Sequence, residues 1–238
     1  MRLAFLLSSI LGWSFLNAQT EGEHSALKPT ERLNQGWWKE RFTATNKKAQ
    51  TKQYDLLFIG DSINQGWEGA GKEIWQKYYG NRNALNLGFS GDRTQHVIWR
   101  LQNGNLTNQE NAKVAIIMIG TNNTGHTEQD PRETAEGVSK IVSLVREGCP
   151  KAKILLLGIF PRAVKPTDKK RLLNEVVNKR ISKLHDGQSI HYLELDEVFL
   201  DEKGILTQKV MPDALHPKKY GYQLWAESME PKLKDLGL

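Results

Sequence analysis

Four short clusters in this chain carry the residue types that acyl transfer requires. The first is Gly60-Asp61-Ser62, which ends the stretch LLFIGDSINQGW at residues 56–67. GFSGDRT follows at residues 88–94, GTNN at 120–123 and PDALHP at 212–217. A serine hydroxyl is a weak nucleophile until a base takes its proton. Histidine suits that task because imidazole titrates near neutrality, and a carboxylate can fix its tautomer and steady the imidazolium. Donors must also meet the charge that develops on the carbonyl oxygen. Ser62 can attack, His216 can act as base and then as acid, and Asp213, three residues earlier, can meet His216 through one turn. The backbone N–H groups of Ser62 and Gly91 and the side-chain amide of Asn122 can form the oxyanion hole, with Gly91 permitting close backbone approach.

Each cluster alone has an ordinary reading. Serine after a strand is commonly a helix N-cap, and GTNN can be an Asx-rich turn. Their joint occurrence, in order, carries the argument. Three neighbours are candidate substrate-pocket residues with open roles. Asp61 bonds local backbone or shapes the nucleophile loop. Trp67 packs a helix or walls the pocket. Arg93 pairs with Asp92 or touches substrate. Residues 160–162 (FPR) line the site or form a simple loop. Asn123 is expected to be structural.

Such clusters need a scaffold that delivers them to one edge. Apolar runs at residues 54–59, 84–87, 114–119 and 154–157 each stop at a glycine, and a weaker run covers 190–195. Helical spacing fills the gaps, with stripes at 96–101, at 135–145 (Ala135, Val138, Ile141, Val142, Val145) and at 172–184 (Leu172, Leu173, Val176, Val177, Ile181, Leu184). Pro217 is placed at the first position of a last helix, and residues 37–50 read as an amphipathic helix. Continuous apolar strands alternating with helices imply an α/β fold with a parallel sheet covered on both faces. Ligands bind such sheets beyond the C-terminal strand ends, where three of the clusters lie.

These clusters resemble the SGNH, or GDSL-type, hydrolase superfamily, named for Ser, Gly, Asn and His in ordered blocks. The matching residues are Ser62, Gly91, Asn122 and His216, with Asp213 as the triad acid. The first block reads GDSI instead of GDSL, a departure that spares the nucleophile. NLGFSGDRTQHVIWRLQNGNL, GTNN and LLGIFPR further resemble the catalytic subunits of intracellular platelet-activating-factor acetylhydrolase and their bacterial esterase relatives. The resemblance runs from about residue 54 to the C-terminus. It implies a flavodoxin-like three-layer α/β/α sandwich with a five-stranded parallel sheet, a shallow site, no cofactor and a possible homodimer.

Residues 1–18 carry one charge, Arg2, before an apolar stretch and Asn17-Ala18, and read as a secretory signal peptide. Residues 19–53 then form an N-terminal extension, loose over 19–36, and 54–238 the hydrolase domain. Export places the protein in the periplasm or outside the cell. The formal net charge is +6, but Lys and Arg mix with Asp and Glu along the chain, so a solvated surface is expected and no nucleic-acid partner. No later segment suits stable membrane insertion. Cys149 is the only cysteine; no intrachain disulfide can form, and its neighbours Gly148 and Pro150 mark a helix end. HxH, HExxH and CxxC are absent, so no catalytic metal is expected. GxGxxG and the full P-loop pattern are absent too.

The expected function is therefore an exported serine esterase that removes a short acyl group, foremost acetyl, from a small molecule or an O-acetylated glycan. The alternatives are a lysophospholipase or thioesterase with a longer acyl pocket, a catalytically silent carbohydrate-binding module, and a flavin-binding flavodoxin-like protein. The Asp61 charge in the first strand-end loop disfavours the flavin phosphate.

Overall fold

The computed structural model describes residues 24–238, so the signal-peptide segment lies outside the described residues. Five strands form one parallel sheet in the order β2-β1-β3-β4-β5: β1 Leu56–Gly60, β2 Ala84–Gly88, β3 Val114–Met118, β4 Lys153–Leu157 and β5 Ile190–Leu193. Leu56 pairs with Ala84 on one side and Val114 on the other, so the strand ends at Gly60 and Gly88 lie level. The expected runs all became strands within about two residues of their ends.

Among the described residues, eight α-helices accompany them: α1 Gly36–Thr51, α2 Ser62–Gln65, α3 Lys72–Tyr78, α4 Thr94–Arg100, α5 Thr121–His126, α6 Pro131–Gly148, α7 Lys169–Ile181 and α8 Lys219–Asp235. Side chains alternate across a strand, and the sheet splits its apolar residues accordingly. Leu57, Ile59, Ala115 and Ile117 face α4, α6 and α7 through Val97, Val138, Ile141 and Val177. Phe58, Ile116 and Leu155 face α3 and α8 through Ile74, Tyr222, Trp225 and Met229. The result is the three-layer α/β/α sandwich, with both sheet faces dry. Cys149 caps the C-terminus of α6 and is buried; burial, with a smaller contribution from Glu110, pushes its thiol up to about 12. No helix among the described residues is long and apolar enough to cross a membrane.

Three expectations are corrected. Residues 24–35 are not loose. Ala26 is fully buried, its carbonyl accepts from Thr94 Oγ1 at 2.9 Å, and Thr30 N donates to Gln95 O at 3.1 Å. Pro217 precedes α8 instead of opening it; Lys218 is the N-cap. The stripe on α7 is misread: Leu172 and Val176 are exposed, while Arg171, Asn174 and Asn178 are buried with Val177 and Ile181. The physical reason is hydrogen bonding. Asn178 accepts from Ile159 N at 2.8 Å and donates to Ile159 O at 3.0 Å, and Asn174 Nδ2 donates to Phe160 O at 3.3 Å. These amides satisfy the backbone just beyond β4, where no further strand pairing is available.

Candidate active site

The sheet order reverses between β1 and β3, and the crevice beyond such a switch point is where open parallel sheets take ligands. Ser62 follows β1 there and Asn122 follows β3. The chain leaves β1 at Gly60, where a Cβ would stand 2.4 Å from Met118 O and 2.5 Å from Asn64 Nδ2. Asp61, not Ser62, is the N-cap of α2. Its Oδ1 accepts from Ile63 N at 3.0 Å, which leaves Ser62 at the first helical position.

Ser62 Oγ stands 2.9 Å from His216 Nε2, and His216 Nδ1 stands 2.6 Å from Asp213 Oδ2. A carboxylate only accepts, so the imidazole proton sits on Nδ1 and the Nε2 lone pair faces the serine hydroxyl. The other Asp213 oxygen accepts from His216 N at 2.7 Å and Leu215 N at 3.1 Å. The three-residue spacing thus closes a turn in which one carboxylate holds both the backbone and the ring of the histidine. Burial raises the Asp213 carboxyl, but these hydrogen bonds and the nearby imidazole outweigh it and hold the group below its ordinary value. The His216 and Asp213 side chains remain 43% and 57% exposed, so the site is shallow and open.

On the other flank, Gly91 adopts φ +70°, a conformation that favours glycine. Neither its N–H nor that of Ser62 has an acceptor among the described residues. Asn122 Nδ2 donates one hydrogen to Asp92 O at 2.9 Å, which leaves its second N–H available. Asn123 is structural, bonding Thr94 and Gln129.

Asp92 does not pair with Arg93. Its Oδ1 accepts from Arg32 Nη1 and Trp38 Nε1, both at 2.8 Å, and its Oδ2 from Arg100 Nε at 2.8 Å. Arg100 is fully buried and also donates to Asn105 Oδ1 at 2.6 Å and to Gly60 O at 3.2 Å. One buried charge cluster therefore clamps the turn after β2 to the end of β1 and to the N-terminal segment. Sequence reading missed it. The available signal was an arginine inside the otherwise apolar helical stripe at 96–101.

Of the three pocket candidates, two are not surface-forming. Trp67 is 1% exposed and packs among Phe58, Tyr222 and Trp225, so its helix-packing role prevails. Asp61 is also 1% exposed. Burial raises its carboxyl to about 7, against opposing contributions from the Ile63 N–H and the His216 charge. Arg93, at the N-cap of α4, remains partly exposed. Arg162 is buried beside the site and donates to Thr121 O at 2.7 Å, next to Asn122.

A parallel α/β sandwich with a serine, a histidine and an aspartate in hydrogen-bonded line at its switch point fits the class of hydrolases. More narrowly, the chain belongs to the GDSL-like Lipase/Acylhydrolase family, whose model matches residues 58–224, and it is a carboxylic ester hydrolase. It is 36% identical over 209 residues to the platelet-activating factor acetylhydrolase IB subunit alpha1 of Bos taurus, covering 84% of this chain and 85% of that protein. It is 37% identical over 174 residues to the alpha2 subunit of Rattus norvegicus, covering 72% of each. Among solved structures, an acetylxylan esterase from Geobacillus stearothermophilus shares the fold with a TM-score of 0.61 and 18% identity, covering 79% of this chain and 95% of that one.

Proposed function

We propose that this protein is a serine esterase that removes acetyl groups from O-acetylated carbohydrates outside the cytoplasm. The observation that carries the reading is the unbroken line Ser62 Oγ–His216 Nε2–Asp213 Oδ2, at 2.9 and 2.6 Å. In the first half-reaction, Ser62 Oγ attacks the ester carbonyl and its proton passes to His216 Nε2. Asp213 stabilises the resulting imidazolium. The carbonyl oxygen, now negative, takes hydrogen bonds from Ser62 N–H, Gly91 N–H and the free Asn122 N–H. Collapse breaks the ester C–O bond, and His216 returns the proton to the departing alcohol oxygen. A water molecule deprotonated by His216 then releases acetate from Ser62.

The short acyl group is supported by the acetylhydrolase relatives and by the acetylxylan esterase fold neighbour. The carbohydrate rests on the signal-peptide reading of residues 1–18, which directs the protein toward extracellular or periplasmic glycans. A second reading, a phospholipid alcohol half, is favoured by the name of the same relatives. The deciding experiment is hydrolysis of p-nitrophenyl acetate against p-nitrophenyl octanoate by wild type and Ser62→Ala. Faster acetate turnover, lost by about 10⁴-fold or more in Ser62→Ala, is the expected result. Octanoate preference moves the reading to lipids. Turnover that survives Ser62→Ala overturns it.

A further inference from the structure

The Asp92 carboxylate takes Arg32 and Arg100, yet the guanidinium of its neighbour Arg93 has no hydrogen-bond or ion-pair partner among the described residues. Arg93 stands two residues after Gly91, at the lip of the crevice. A second arginine, Arg162, stands in the segment after β4. Arg162 is only 8% exposed. Its Nη1 donates to Thr121 O at 2.7 Å and Thr121 Oγ1 at 3.2 Å, while Nε and Nη2 have no protein acceptor among the described residues. Neither of those nitrogens is sealed from solvent. Those two donors are therefore open to a ligand that enters the crevice as well as to water.

Hydrogen bonds tie the segments that carry the two arginines to the segments that carry the site. Thr121, held by Arg162, adjoins Asn122, and Asn122 Nδ2 reaches the carbonyl of Asp92, which adjoins Arg93. The residue after Arg162 donates from its backbone to Ala214 O at 2.8 Å, within the loop that carries Asp213 and His216. Asp168 and the buried Asp61 lie within the field of Arg162, but neither is hydrogen-bonded to a guanidinium of the pair. Asp168 is engaged as the N-cap of α7, accepting from Lys170 N at 2.9 Å. His126 registers the same field: burial lowers its imidazole, and the charges of Arg162, Lys170 and Arg93 lower it further.

We propose that Arg93 and Arg162 form an anionic subsite for the alcohol half of the ester, so that favoured substrates carry a carboxylate or phosphate oxyanion beside the acyl group. This rests on the acetylesterase reading, since an acetyl group has no room for a charge and the anion must belong to the alcohol. A planar guanidinium recognises either oxyanion through paired N–H···O bonds. Uronic-type sugar acids and phosphate-bearing alcohols present the same chemistry.

The test compares kcat/KM for 3-acetoxybenzoate and its neutral counterpart 3-acetoxybenzamide, each corrected for its uncatalysed rate. Wild type favours the benzoate by about tenfold at low salt, and added salt erodes the preference. Arg93→Gln lowers the benzoate kcat/KM about tenfold more than the benzamide value, chiefly through KM. Arg162→Gln also disturbs Asn122 through Thr121 and lowers both, so Arg93→Gln is the deciding variant. A wild-type ratio near one, or a ratio that Arg93→Gln leaves unchanged, overturns the subsite while benzamide turnover through Ser62 leaves the esterase standing. If neither ester is turned over, calorimetric binding of 3-hydroxybenzoate against 3-hydroxybenzamide reads the subsite without chemistry, and equal affinities overturn it. An O-acetylated methyl glucuronoside and an acetylated glycerol phosphate, each set against its uncharged analogue, distinguish the source: whichever gains more names it, and no gain in either overturns the proposal.

Discussion

Ala163 N donates to Ala214 O at 2.8 Å, and both residues hold positive φ, +62° and +57°. Two alanines in the left-handed region, bonded to each other, join the loop after β4 to the loop that carries the histidine. Each costs about 1–2 kcal/mol in backbone strain, and surrounding contacts hold them there. Ala163→Gly relieves one strain and should leave the melting temperature equal or a few degrees higher. Ala163→Val puts a β-branched residue at that φ and should lower it. Thermal denaturation of the two variants checks the ordering.

The Asp213 carboxylate fixes the histidine through both ring and backbone, so replacing it separates charge from shape. Asp213→Asn keeps an oxygen for the two N–H groups but no longer enforces the Nδ1–H tautomer. By analogy with other Ser-His-Asp enzymes, kcat should fall by about 10⁴-fold with little change in stability. Steady-state kinetics with p-nitrophenyl acetate, paired with urea denaturation, measures both. The carboxyl is held below its ordinary value of 3.8, so its stabilising contribution is present above that value and is lost as pH falls through the lower folded-state one.

Asp92 and Arg100 are a buried ion pair in which each charge depends on the other. Asp92→Asn leaves Arg100 unpaired inside the protein, which should cost about 3–5 kcal/mol. Because the same turn carries Gly91 and receives Asn122, kcat should fall as well. A urea midpoint close to wild type would show that the cluster does not hold this turn.

Asp61 and His96 give opposite pH slopes. Asp61 is raised by burial from 3.8 to about 7, so between those values the folded protein keeps a proton that the unfolded chain has released. Its contribution to stability therefore falls as pH rises through that window. His96 is lowered by burial, and then by Arg93, Arg32 and Arg100, from 6.5 to about 3. Its Nδ1 accepts from Arg93 N at 2.9 Å, a bond open only to the neutral ring. The unfolded chain takes up that proton first, so this contribution falls as pH drops from 6.5 toward 3. Each slope is about 1.4 kcal/mol per pH unit and the two oppose each other from about 4 to 6.5. Asp61→Asn should gain stability relative to wild type at pH 8 and none at pH 4, and His96→Gln should be hurt at pH 7 far more than at pH 4. Melting curves at these pH values read both differences.

The strands and the Ser62–His216–Asp213 alignment were legible because each leaves a local mark: an apolar run stopped by glycine, or a hydroxyl, an imidazole and a carboxylate in short clusters. What was not legible depends on partners far away in sequence. Asn174 and Asn178 look solvent-facing until the backbone beyond β4 supplies their bonds, and Leu172 and Val176 look internal until those amides take the inner face. Trp67 could have been wall or core, and only its packing on Trp225 decides. Residues 24–35 look loose because the anchors, Asp92, Thr94 and Gln95, lie some sixty residues on.

Ser62 and His216 are 154 positions apart, and α8 follows the histidine loop. During synthesis the nucleophile therefore emerges well before the base. A nascent or C-terminally truncated chain thus has a serine with nothing to deprotonate it. On the proposed mechanism, hydrolytic power is withheld until the loop carrying His216 reaches Ser62, so the order of translation itself acts as a safety catch.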